Sequence, residues 1–103
     1  MKAIRITGKL ASQPVIVSSS REWVVLILVE TIKGYEEFYF TCPIISNKHI
    51  GIKLIKTNFS HITLSSVDDM LEFDILLNQF GYPTNEILNF HNITRNLGNL
   101  SLK

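Results

Sequence analysis

Apolar and polar residues alternate along much of this chain, the period of a β-strand buried on one side. In residues 3–10, Ile4, Ile6 and Leu10 fall on one face and Arg5, Thr7 and Lys9 on the other. Gly8 interrupts the pattern, where a missing side chain marks a bulge or sharp bend. Pro14 closes this first strand, and the serines at 18–20 read as a turn or loop. Residues 23–31 form a second strand whose aliphatic run has no polar interruption, as in a strand covered on both faces. Lys33-Gly34 supplies a turn, and residues 35–42 form a third, aromatic strand that Pro43 ends.

The period then changes. Ser46 or Asn47 can cap a short helix reaching about residue 56, with Ile45, Ile50 and Leu54 on one stripe and Lys48, Lys53 and Lys56 outside it. Alternation resumes over residues 61–67, a fourth strand. Residues 68–83 support two readings. Leu71, Phe73, Ile75 and Leu77 alternate as in an extended hairpin arm, whereas Ser66 with Asp69 is a capping-box pattern and Phe80-Gly81 resembles a helix end. The alternation favours the hairpin. Residues 86–97 close the set as a fifth strand, so residues 1–97 form one domain and 98–103 a short polar tail.

A bent strand with a basic face, an aromatic strand two places later, and a helix between strands three and four predict an all-β, five-stranded oligonucleotide-binding (OB) barrel. The 103 residues suit one domain, and 46% hydrophobic residues are enough for one core. The longest apolar run is strand-length, which excludes a membrane-spanning helix, and the N-terminus has no pattern of a secretory signal. A single cysteine, Cys42, fits a reducing cytoplasm. That cysteine and three scattered histidines provide no metal cluster. Adjacent acids such as Glu36-Glu37 point to opposite faces of a strand, and there is no nucleophile elbow or glycine-rich phosphate loop. We therefore expect neither an enzyme nor a cofactor, and no small-molecule substrate. The net charge of +1 is asymmetric: residues 1–66 carry +4 and residues 67–103 carry −3.

Ile6-Thr7-Gly8-Lys9-Leu10 with Pro14, Glu37-Phe38-Tyr39-Phe40-Thr41-Cys42, and Glu86-Ile87-Leu88-Asn89-Phe90 occur in the order found in bacterial single-stranded-DNA-binding proteins, which the chain resembles over nearly its whole length. The resemblance implies a homo-oligomer, a dimer or tetramer of barrels, that coats single strands without strong sequence preference in replication, recombination or repair. The form would be a short one without the family's acidic tail, and its arm is acidic (Asp68, Asp69, Glu72, Asp74) where the family's is basic.

A single strand is held by cations on its phosphates and flat side chains on its bases. Arg5, Lys9, Arg21 and Lys33 flank the first two strands and are the phosphate candidates. The resemblance places Phe38 on the DNA side, and alternation puts Phe40 with it. Trp23 can stack on a base or anchor a subunit interface, and Tyr35 lies near a hairpin tip. Phe73, Phe80 and Tyr82 read as packing or interface residues on the arm. Two other functions fit the same barrel: a protein–protein accessory module, as in primosome assembly, and RNA binding, since nothing in the chain reads a 2′-hydroxyl.

Overall fold

The structure is a computed structural model, and it describes residues 2–43 and 52–98, with the side chains of 52–54 left aside. In chain order the elements are β1 (Ala3–Leu10), β2 (Val15–Ser18), β3 (Glu22–Thr31), β4 (Gly34–Pro43), α1 (Ile52–Thr63), β5 (Met70–Leu77), β6 (Pro83–Asn92) and β7 (Leu97–Gly98). Five of the strands close into a barrel. β1 pairs antiparallel with β5, β5 with β6, and β3 with β4, while β4 meets β6 in parallel at Tyr39 and Glu86. The ring closes where Lys9 and Leu10 pair with Glu30 and Val29. This is the OB barrel, with its helix between the third and fourth barrel strands.

Gly8 makes the closure possible. A Cβ at that position would lie 2.5 Å from Val29 Cγ1 and 2.6 Å from the Glu30 carbonyl oxygen, so only glycine lets β1 approach β3 so closely. The alternating pattern fills the interior: Leu10, Val25, Ile27, Val29, Phe38, Phe40, Leu71, Phe73, Ile75, Ile87 and Phe90 are all buried. Phe73 meets Phe38 edge-on with ring centroids 5.0 Å apart, and lies nearly parallel to Phe90 at 6.3 Å. Phe59 and Ile62, one helical turn apart, put α1 over the end of the barrel where β3 begins and β4 ends.

Several expectations are corrected. Val15–Ser18 is a strand that the sequence pattern does not assign, and it takes in Ser18, expected in a loop: it pairs with Val24, Leu26 and their neighbours along β3. Among the described residues α1 covers Ile52–Thr63, running past the predicted end near 56, so its last three residues occupy the start of the predicted fourth strand. Ile62 is buried while Leu64 is exposed, and the apparent alternation of 61–67 belongs to a helix end and a turn. The fourth barrel strand is Met70–Leu77, so the expected hairpin exists but forms the wall rather than a projecting arm. β6 ends at Asn92; residues 93–96 turn, and Gly98 pairs with His91, which places it in the sheet instead of the tail. The aliphatic run of β3 is fully buried only on its inner row, the outer Val24, Leu26 and Leu28 being half-buried. The predicted cap at 46 or 47 and residues 99–103 lie outside the described residues.

Candidate nucleic-acid interface

The eight residues singled out from the sequence divide into three groups, with Lys9 by itself. Phe38 and Phe40 are 1% and 5% exposed, inside the barrel, and cannot receive a base while it is closed. Tyr39, between them, points outward opposite Leu26. Phe38 and Phe40 are therefore core residues rather than a binding face, since successive residues of a strand point to opposite sides.

Arg21 and Trp23 lie at the end capped by α1. Arg21 sits in the β2–β3 turn, where the Ser19 hydroxyl accepts the backbone N–H of Arg21 at 3.3 Å and of Glu22 at 3.2 Å. Trp23 packs edge-on against Phe59 of the helix, centroids 5.9 Å apart. With Cys42, Pro43, Lys56 and Ser60 these two rings line a cleft of about 310 Å³. Burial pushes the Cys42 thiol up, Lys56 opposing it weakly.

Arg5, Lys33 and Tyr35 lie at the other end, one length of β3 away, or about 30 Å for ten residues at ~3.3 Å each. β1 pairs with β3 only at its last two residues, so its first half splays from the β3–β4 turn and leaves a cleft of about 140 Å³. Arg5, Thr7, Thr31, Lys33 and Glu36 are among its lining residues. The turn is held by the Thr31 hydroxyl, which accepts the Lys33 N–H at 3.1 Å and donates to the Gly34 carbonyl at 3.2 Å. Arg5 is engaged by Asp74, Nε to Oδ1 at 3.0 Å and a second nitrogen to Oδ2 at 3.3 Å, and this bond raises the guanidinium above its ordinary pKa. Lys9, near the end of β1, stands directly across from Glu30.

The same end carries a second depression, of about 440 Å³, that sequence reasoning missed; it is formed by Lys2 and residues 77–81. Its rim is the β5–β6 turn, where the Asn78 side-chain oxygen accepts the N–H groups of Phe80 at 2.9 Å and Tyr82 at 3.0 Å. Gly81 takes a left-handed backbone, φ 85°, that closes the turn. Phe80 and Tyr82 are thereby held in solvent, 75% and 67% exposed, and Tyr35 across the end is 66% exposed. An Asn-x-x-Gly turn between alternating strands was the available signal for such a tip.

This end of the barrel therefore presents three exposed aromatic rings with Lys2, Arg5 and Lys33, tempered by Asp74 and Glu36. The outward positions of β3 and β4 differ: they carry Glu22, Glu30 and Glu37 and no lysine or arginine. No protein-family model, no curated protein and no solved structure matches the chain. Among the described residues no helix is long and apolar enough to cross a membrane.

Proposed function

We propose that this OB barrel binds single-stranded nucleic acid, DNA foremost, at the end opposite α1. The observation that carries this reading is the grouping of exposed Tyr35, Phe80 and Tyr82 with Lys2, Arg5 and Lys33 near two clefts, one lined by Lys2 just before β1 and the β5–β6 turn, the other by Arg5 and Thr7 of β1 and the β3–β4 turn. Phosphates run along the cations, and bases stack on the rings. Stacking tolerates any base and contributes roughly 1–3 kcal/mol per contact, so binding without strong sequence preference follows from the residue types. A duplex hides its base faces and leaves only the cationic share of the interaction.

The test is fluorescence anisotropy with labelled oligo-dT, duplex DNA and an RNA of equal length across a salt series. Binding of oligo-dT well above duplex, with a logarithmic salt slope of about −0.7 per phosphate contact, is the expected result. Equal binding of duplex and single strand at low salt removes this reading.

A further inference from the structure

The outer face of the β2–β3–β4 sheet carries a second, different chemistry. In the observed register Val15 sits opposite Leu26 and Val17 opposite Val24, while across the other edge of β3, Leu26 faces Tyr39 and Leu28 faces Glu37. Directly paired residues point to the same side of a sheet, so Val15, Val17, Val24, Leu26, Leu28 and Tyr39 form one continuous apolar surface. Val15 and Val17 are about half exposed, and β2 is the last strand in the sheet order, leaving that side of the surface open among the described residues. An apolar patch of this continuity on a small domain marks an interaction surface.

Charge decides what fits it. The outward positions of β3 and β4 add Glu22, Glu30 and Glu37. The nearest cations stand at the borders, Lys9 across from Glu30 and Arg21 in the β2–β3 turn. A polyanion laid across these rows meets three carboxylates. Two copies of the chain stacked face to face bring carboxylate rows against each other, and like charges across an interface are costly. A chain with apolar side chains flanked by lysine or arginine satisfies both the valine–leucine centre and the glutamates. We propose that this face docks such a segment of a partner protein over its valine–leucine centre and Glu37, leaving Phe80 and Tyr82 of the β5–β6 turn free, with Tyr35, paired with Glu30, at its border. The inference stands whether or not that end binds nucleic acid.

The experiment uses the full chain and two labelled peptides, one of alternating leucine and lysine and its leucine–glutamate twin, read by anisotropy. The lysine peptide should bind tighter than its twin by about tenfold or more, and Glu37→Lys and Val17→Asp should each weaken it by about tenfold. Glu72→Lys, on the β5 wall away from this face, should leave binding unchanged, as should excess oligo-dT. Circular dichroism of each variant checks the fold, and Glu37→Lys changes only an exposed side chain. Equal binding of the two peptides, equal weakening by Glu72→Lys, or displacement by oligo-dT overturns the proposal. So does sedimentation showing a dimer that Val17→Asp splits, because a second copy then covers the face.

Discussion

Ser66 donates its backbone N–H to the Asp69 carboxylate at 2.8 Å, the bond that would open a helix, yet the chain continues into a strand. Asp69 returns its own N–H to the Ser66 carbonyl at 3.1 Å, and Asp68 between them takes a left-handed backbone, φ 76°. The capping chemistry closes a turn here because the carboxylate has other partners. It accepts from the Asn92 amide at 2.9 Å and from Arg95 Nε at 2.6 Å, tying the α1–β5 connection to the end of β6.

Loss of that carboxylate should be costly. Asp69→Ala leaves the Ser66 N–H and Arg95 Nε without this acceptor and takes one of two from the Asn92 amide, and we expect a loss of about 1–3 kcal/mol in denaturant unfolding. Asn92 retains Ser65 Oγ at 2.9 Å, so Asn92→Ala should cost more than Ser65→Ala.

The same site sets an acid dependence. Burial pushes the Asp69 carboxyl up, but the Ser66 N–H, Asn92 and Arg95 outweigh it and hold the pKa below the usual carboxylate value. A depressed carboxylate adds stability above the unfolded-state pKa of about 3.9 and loses it as pH falls through the folded-state value. Thermal melts should therefore decline below about pH 4 in the wild type, and less steeply in Asp69→Ala.

Two phenylalanines separate packing from binding. Phe38→Ala removes a ring from the centre of the core and should cost about 3–5 kcal/mol of stability while the folded fraction binds oligo-dT normally. Phe80→Ala removes an exposed ring, should change stability by less than about 0.5 kcal/mol, and should weaken oligo-dT binding by about 1–3 kcal/mol with the salt slope unchanged. Denaturant melts and salt-dependent anisotropy on both variants check the contrast.

Charge at the aromatic end can be tuned through Asp74. Its bond to Arg5 occupies the guanidinium, so Asp74→Asn should strengthen oligo-dT binding and steepen the salt slope. Lys33→Ala should flatten that slope by about 0.7. A salt slope unmoved by either substitution places the phosphate track elsewhere.

The barrel was legible where one period held. Ile6, Gly8 and Leu10, the aliphatics of β3 and the inner row of β4 are spaced by two, and each falls where alternation puts it. Legibility failed where two periods overlap. Ile55, Phe59 and Ile62 are spaced for a helix, but Ile62, Leu64 and Val67 imitate a strand nearly as well, and tertiary packing of Phe59 and Ile62 on the core decides. β2 was missed because Pro14 and the serines at 18–20 bracket only three residues, and the strand takes in the first of those serines. The binding face was harder still. In Phe38-Tyr39-Phe40 every residue is aromatic, so composition cannot say which row is inner, and only closure against Phe73 settles it. Phe80 and Tyr82 look like core residues until the Asn78 turn holds them in water.

The central claim, that a single strand lies across the end opposite α1, is tested most directly by ultraviolet crosslinking of oligo-dT to the full chain, with the attached residues mapped by mass spectrometry. Adducts on Tyr35, Phe80 and Tyr82 are the predicted result. Adducts confined to Tyr39 or Trp23 would contradict it, placing the strand on the sheet face or beside the helix.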